Sequence, residues 1–384
     1  MNTIITSILD TDLYKITMGQ CVLHQYPSDN ARYVFKCRNE GVKLGFLAEK
    51  IQEEVNEMGS IELTQDEEIY IRNNLRFISH DYIEFLRNYR FKPEQVQIGK
   101  ADEELVIMIS GPWVETILWE VPLLAIVNEL YFKETTDARS LEGAGDMRLR
   151  DKMALIRQYP NFTFAEFGTR RRYSKTWQEY VLKTLKVQVP QLIGTSNVKL
   201  SMDYNIKPIG TMSHEYISAH LALAPIPVAQ KRAMHVWLQE YDANLGIALT
   251  DTFTSDAFLR DFDITLANAF NGVRHDSGDP IEFGKKIIAR YKELGIDPRT
   301  KVIIFSDGLD VPTAIKIYKE FTGLIGVSFG IGTNLTNDVG ATPLNIVIKL
   351  VECNGVPVVK LSDNPTKAIG DPDMIEKVKR SYVK

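Results

Sequence analysis

The chain has 384 residues and carries 45 lysines and arginines against 50 aspartates and glutamates, a net charge of −5, at 44% hydrophobic and 25% charged. That is the composition of an ordinary globular enzyme, long enough for two or three domains at about 150 residues each. The acidic balance argues against nucleic-acid or membrane partners, which normally demand a concentrated basic face, and the widely spaced Cys21, Cys37 and Cys353 argue against a disulfide framework or a zinc site.

At the N-terminus there is neither the basic start nor the long apolar stretch of a secretory signal, and nowhere does an apolar run approach the about 18 residues of a membrane span. The expected location is the cytoplasm. Asp10-Thr11-Asp12 ahead of an apolar helix reads as an N-cap signal. Helical spacing then recurs at Ile51, Val55 and Met58, at Ile69, Ile71 and Leu75, and at Tyr82, Phe85, Leu86 and Tyr89. Alternation between Gln95 and Trp113 reads as strands. The helix that follows, Glu115 to Phe132, is apolar nearly all round and therefore buried between layers, with Pro122 a candidate kink.

After a basic helix from Asp146 to Arg157 the texture changes to strand, loop and helix in repetition. Strands are expected at Thr163 to Phe167, Leu192 to Gly194, Lys207 to Gly210, Gly246 to Thr250, Phe270 to Val273, Lys301 to Phe305 and Leu324 to Phe329, with helices between them, notably Ala229 to Tyr241 and Phe283 to Leu294. Parallel strands need such crossovers, and repeated units of this kind close into a barrel or a doubly wound sheet. Each strand ends in a polar cluster, and seven such clusters converge on one point only in a barrel, which is the reading favoured here. Finally, Leu344 to Leu361 alternates around Asn354-Gly355, a hairpin expected to pack back onto the N-terminal part and make that domain discontinuous.

The chemistry lies in the loops. Gly330 and Gly332 in SFGIGTN let backbone N–H groups approach a phosphate, and a second loop, Ser306-Asp307-Gly308-Leu309-Asp310, precedes a helix at the usual place of a barrel phosphate site. Asp307 or Asp310 would equally serve as a helix cap. Arg274-His275-Asp276-Ser277-Gly278-Asp279 packs a cation, an imidazole and two carboxylates into six residues, where carboxylates suit Mg²⁺ or sugar hydroxyls and the arginine suits a carboxylate or phosphate. His214, beside Glu215 at a strand-to-helix junction, is placed to act as acid, base or phosphoryl acceptor, whereas His24, His80, His220 and His235 read as structural. Arg170, Arg171 and Arg172 at a helix start oppose its dipole, which points to an anionic ligand.

These stretches resemble the nicotinate phosphoribosyltransferase family, of the type II phosphoribosyltransferase class. The resemblance is carried by LDTDLYKITM at Leu9 to Met18, FAEFGTRRR at Phe164 to Arg172, GTSNV at Gly194 to Val198 and GTMSHEY at Gly210 to Tyr216. TDTF at Thr250 to Phe253, RHDSGDP at Arg274 to Pro280, SDGLD at Ser306 to Asp310 and FGIGTN at Phe329 to Asn334 complete it in one order along nearly the whole chain.

The resemblance implies an α/β fold, an irregular, incomplete barrel of parallel strands over 136–340 carrying the active site, with a smaller discontinuous α+β domain from 1–135 and 341–384. It implies transfer of phosphoribosyl from phosphoribosyl pyrophosphate to nicotinate in NAD salvage, with ATP as co-substrate, Mg²⁺ and no zinc, in a homodimer whose active site is shared. By position, Tyr14 of a neighbouring chain and Phe167 would stack on the pyridine ring, with Thr211, Arg274 and Ser196 as further nicotinate contacts. Arg170, Asp307, Gly308, Gly330, Gly332 and Thr333 would hold the phosphates. Asp276 would contact the ribose and Mg²⁺, and His214 would be transiently phosphorylated. A nicotinamide-specific enzyme is the nearest alternative, disfavoured because Ser196 stands where the nicotinamide enzymes carry an acidic residue. An inactive ligand-binding barrel is the alternative outside enzymes.

Overall fold

The computed structural model describes residues 3–242, 244–364 and 368–382, with residues 138–140 as backbone only. Its chain falls into two compact units, 1–210 with 331–348 and 211–330 with 349–384.

In the first unit the helices form where apolar spacing and caps coincide. Gln65–Asn74 starts at a capping box, in which the Thr64 hydroxyl accepts from the Glu67 N–H and the Glu67 carboxylate accepts from the Thr64 N–H. Strands β1 (Asn30–Cys37), β2 (Val96–Ala101) and β3 (Glu104–Pro112) pair antiparallel, with Tyr33 opposite Ile109 and Ile98 opposite Ile107. Alternate residues Leu105, Ile107 and Ile109 are buried, as a half-covered sheet requires. The apolar helix expected from Glu115 is two pieces, Trp113–Thr116 and Glu120–Thr135. Pro122 does not kink the second piece. It occupies the first turn, where its missing N–H has no intrahelical partner to lose. Val121, Leu123, Leu124, Ile126 and Val127 are all buried, in keeping with a helix apolar on every side.

Two short parallel strands complete this unit, β4 (Phe164–Glu166) and β5 (Leu192–Thr195). The strand expected at Lys207 to Gly210 is absent. Only Pro208 bridges to Thr195, where the Thr195 N–H donates to the Lys207 carbonyl at 3.0 Å and the Ile209 N–H to the Thr195 carbonyl at 2.8 Å; Pro208 itself has no N–H to offer a strand on its other side.

The second unit holds β6 (Ile247–Leu249), β7 (Gly272–His275), β8 (Val302–Phe305) and β9 (Gly326–Ile331), each parallel to the next. Helices Pro280–Glu293 and Val311–Phe321 follow β7 and β8, capped by Asp279 and Asp310 through their side-chain oxygens. Of the two aspartates after β8, Asp310 is therefore the cap. The parallel sheet is ordered β5-β4-β9-β8-β7-β6 and leaves β5 and β6 as edges, so the barrel is incomplete, as expected.

The hairpin expected near the C-terminus is β10 (Ile346–Cys353) and β11 (Val356–Pro357), joined through Asn354 at φ 51° and Gly355 at φ 75°. Two left-handed residues are what a type I′ turn needs, and Asn-Gly supplies them at low cost. The antiparallel sheet runs β11-β10-β1-β3-β2, which makes the N-terminal sheet discontinuous in sequence. No helix among the described residues is long and apolar enough to cross a membrane.

Candidate active site

Most of the residues singled out by sequence lie at the C-terminal ends of parallel strands or in the loops that follow, in two internally connected groups, one in each unit.

The first group surrounds the turn after β4. Glu166, fully buried, accepts from Thr195 Oγ1 at 2.6 Å, from Gln178 Nε2 at 3.2 Å and from the Gly168 N–H. Burial raises its pKa above the usual carboxylate range, against the pull of those donors. This network fixes Phe167, which is half-buried and donates its N–H to the Ile331 carbonyl at 2.9 Å. Gly332 crosses that same backbone so closely that a Cβ on it would sit 2.8 Å from the Phe167 carbonyl oxygen. The crossing alone demands glycine there, and Thr333 follows at the start of a single helical turn, Thr333–Thr336.

Helix Leu13–Gln25 brings Tyr14 to this group, with the Arg170 guanidinium 5.9 Å from the centre of its ring. Asp12 occupies the N-cap position of that helix but makes no cap bond with its side chain. Its carboxylate instead accepts from the Ser196 hydroxyl at 2.7 Å and lies 3.7 Å from Arg170. Burial raises the Asp12 pKa, opposed by Arg170. Ser196 thus has a carboxylate one hydrogen bond away, contributed by another segment. Arg170 also lies 3.6 Å from Glu120 and keeps 40% of its side chain exposed. Arg171 donates to the Ile346 carbonyl at 3.1 Å.

Arg172 is a correction to the expectation that all three arginines face an anionic ligand. It is fully buried and donates twice to Asp10, at 2.8 and 3.0 Å, while Asn197 Nδ2 reaches the same carboxylate at 2.8 Å. Its charge is matched by Asp10 inside the unit, so it belongs to the scaffold.

In the second group His214 opens helix His214–Leu223, with Nε2 2.9 Å from Asp251 Oδ1 and 3.6 Å from Asp276 Oδ2. Asp251 follows β6 and is fully buried. Its other oxygen accepts from Ser277 Oγ at 2.6 Å and from Lys360 Nζ at 3.1 Å. Lys360 Nζ lies 2.8 Å from His214 Nε2 as well. Burial, and then the Lys360 charge, push the His214 pKa down to about 4 despite the two aspartates, so the ring is neutral near pH 7. Asp251 is held well below the usual carboxylate range because Lys360 and His214 outweigh its burial.

Asp276, half-buried after β7, accepts from Ser306 Oγ at 2.8 Å, and the Arg274 charge helps lower its pKa against burial. His275, left undecided by the sequence, is packed against Phe283 and Phe305 in the interior. Thr211 donates its hydroxyl to the Ile247 carbonyl at 3.1 Å. Asp307 and Gly308 sit in the loop after β8, where Gly308 takes φ +60° with open space around it, and Gly330 lies in β9.

Lys360 was not foreseen. The one signal for it is a lone lysine between Val358-Val359 and Leu361, all three of which are buried. His214, Asp251 and Asp276 offer ligand atoms within 4.8 Å of one another. Since both oxygens of Asp251 are already engaged by His214, Ser277 and Lys360, Asp276 is the carboxylate available to a cation shared with a phosphorylated substrate.

Loops at the C-terminal ends of parallel strands are where an α/β fold of this class carries an active site. The comparisons make this specific. The chain matches the model of the nicotinate phosphoribosyltransferase (NAPRTase) family over residues 162–384 and that of its N-terminal domain over 9–128. It is 48% identical to the nicotinate phosphoribosyltransferase of Cupriavidus necator over 99% of this chain and 98% of that one, and 48% identical to that of Burkholderia mallei over 96% and 94%. Among solved structures, that of nicotinate phosphoribosyltransferase from Vibrio cholerae superposes with a TM-score of 0.94 at 40% identity, covering 99% of this chain and 94% of that one. The enzyme from Porphyromonas gingivalis gives 0.94 at 39%, covering 99% and 100%. The chain belongs to the nicotinate phosphoribosyltransferase family.

Proposed function

We propose that this protein transfers the phosphoribosyl group of phosphoribosyl pyrophosphate to nicotinate, giving nicotinate mononucleotide and pyrophosphate in NAD salvage, with ATP cleaved through a phosphohistidine at His214. The observation that carries this reading is family membership along the full chain.

The residues divide the work by charge. Nicotinate is an anion, and Arg274, with Thr211 and Ser196, is assigned to its carboxylate, while Phe167 and the Tyr14 of a second copy are assigned to its ring. The second copy makes the enzyme a homodimer with a shared site. Arg170, Asp307, Gly308, Gly330, Gly332 and Thr333 are assigned to the phosphates of the phosphoribosyl donor. Asp276 is assigned to the ribose hydroxyls and to Mg²⁺, which when bound would draw charge from the departing pyrophosphate. His214 is assigned as phosphate acceptor through Nδ1, since Nε2 is already engaged by Asp251 Oδ1 at 2.9 Å and Lys360 Nζ at 2.8 Å; the role requires the tautomer in which Nε2 donates to Asp251. The reaction is assigned to the cytoplasm, in keeping with cysteines, Cys21, Cys37 and Cys353, that form no disulfide among the described residues.

The direct test of the nicotinate pocket is Arg274→Ala. Loss of a charge-assisted contact of about 1.5–3 kcal/mol should lower kcat/KM for nicotinate about 10- to 100-fold and leave ATP binding within about twofold. Equal losses for both ligands would contradict the assignment.

A further inference from the structure

The segment that carries Lys360 is anchored at five successive residues within its own unit. The Val359 carbonyl accepts from Ser218 Oγ at 3.0 Å, on the helix that begins with His214. Lys360 exchanges both backbone hydrogen bonds with Ile369, each 3.0 Å. The N–H groups of Leu361 and Ser362 both donate to the Thr252 carbonyl, next to Asp251. Ser362 Oγ donates to Ser277 Oγ at 2.9 Å, and the Asp363 carboxylate accepts from the Ser255 N–H at 2.7 Å. The last three anchors, on Thr252, Ser277 and Ser255, stand on the segments after β6 and β7, which also supply Asp251. The outcome is a lysine whose side chain is only 10% exposed and whose Nζ is within 3.1 Å of both His214 Nε2 and Asp251 Oδ2.

A lysine held by backbone bonds so close to a histidine and an aspartate does more than solvate the surface. Resting on the phosphohistidine reading above, we propose that Lys360 is a positioning residue for phosphoryl transfer to His214: its ammonium group ties down Oδ2 of the buried Asp251 and balances that carboxylate's charge, so that Oδ1 stays against the Nε2 edge of the ring and Nδ1 is left for the phosphoryl group. Nε2 has both Asp251 Oδ1 at 2.9 Å and Lys360 Nζ at 2.8 Å, and the transfer proceeds from the tautomer in which Nε2 donates to Asp251, the Lys360 N–H groups are turned to Oδ2, and Nδ1 keeps its lone pair. That lone pair forms the N–P bond to the γ-phosphorus of ATP as the bond from phosphorus to the bridging oxygen breaks, and ADP leaves with the electron pair. The Nε2 proton stays on the ring, now cationic and shared with Asp251. Without Lys360 the buried Asp251 carboxylate loses its counter-charge and the partner that holds Oδ2. Lysine also contributes through Asp251: one oxygen tied to Nζ and Ser277 leaves the other in register with the ring.

The experiment labels the full-length protein with γ-³²P-ATP and measures both the extent of labelling and the lifetime of the phosphoenzyme, in the wild type and in Lys360→Arg, Lys360→Gln and Lys360→Met. Loss of the charge should cut labelling about 10- to 100-fold in the Gln and Met variants, the effect of losing one charge-assisted contact, with the Arg variant in between. KM for nicotinate should stay within about twofold of wild type in every variant, a split that a general packing defect would not give. Should the Met variant fail to fold, as judged by its thermal melt, the Gln variant decides, since it keeps a hydrogen-bond donor for Asp251 without the charge. A Gln variant that labels to the wild-type extent and lifetime overturns the role of Lys360. A wild type that takes up no label overturns the phosphohistidine reading itself, and the proposal with it.

Discussion

The His214→Ala variant is expected to take up no label from γ-³²P-ATP and to lose the rate gain that ATP confers, a fall of about 100-fold or more if the phosphoryl acceptor is removed outright. The expectation follows from the surroundings of one ring. Nε2 is tied to Asp251 at 2.9 Å, Lys360 stands against the same edge, and burial with that positive charge keeps the imidazole neutral down to a pKa of about 4. A neutral ring has one lone pair to give, and with its proton donated to Asp251 that lone pair is at Nδ1. Label on the wild type should be acid-labile and base-stable, as a phosphoramidate is and a phosphoserine is not. Label that persisted in the alanine variant would place the acceptor elsewhere. Asp251→Asn should lie between wild type and His214→Ala, because an amide can accept from Nε2 but does not balance the cationic ring.

Arg172→Met should destabilise the fold by about 3–5 kcal/mol, the usual cost of leaving one partner of a buried ion pair without the other. Asp10 would keep Asn197 and a distant Lys175 at 3.9 Å but lose both guanidinium bonds. The double variant Asp10→Asn with Arg172→Met should recover part of the loss, since it removes the stranded charge. A pH dependence with a definite sign goes with this pair. Burial alone would raise the Asp10 pKa, but Arg172 and its hydrogen bonds win and lower it below 3.8. A carboxyl depressed on folding contributes stability that is fully present above its unfolded pKa, about 4, and is lost as the pH falls through the folded value. The gap in denaturant midpoint between wild type and Arg172→Met should therefore be largest near pH 7 and shrink below about pH 4. A gap that stayed constant with pH would mean that the loss comes from packing alone.

The contrast between Arg170 and Arg172 shows where sequence reading reaches its limit. Both belong to one run of arginines, and local periodicity treats them alike. Their fates diverge because Asp10, 162 positions earlier in the chain, is folded against one of them. Lys360 was hidden for the same reason: it follows a hairpin that reads as part of the N-terminal sheet, yet its contacts are with loops after parallel strands. By contrast, the texture of the parallel strands and the Asn354-Gly355 turn were legible, because each rests on spacing or on backbone conformation within a few residues. The strand expected at Lys207 to Gly210 shrinks to a single bridge at Pro208, which has no N–H to offer a second neighbouring strand, a loss that side-chain hydrophobicity does not register. Asp12 reads locally as a cap, and only the approach of Ser196 diverts its carboxylate.

On the proposed assignment of Ser196 to nicotinate, the residue also bears on substrate choice. An acidic side chain at that position would add a second carboxylate beside Asp12, and two carboxylates sharing a site raise each other's pKa and repel an anionic ring substituent. With serine there, Asp12 has a hydroxyl donor at 2.7 Å and Arg170 at 3.7 Å, so its charge is largely spent inside the protein.

The central claim is that the purified protein makes nicotinate mononucleotide. It is tested most directly by one turnover assay with phosphoribosyl pyrophosphate, Mg²⁺ and ATP in which nicotinate and nicotinamide compete at equal concentration. Nearly all product should be nicotinate mononucleotide, formed one for one with pyrophosphate. Product that is mainly nicotinamide mononucleotide, or no mononucleotide of either kind, would contradict it.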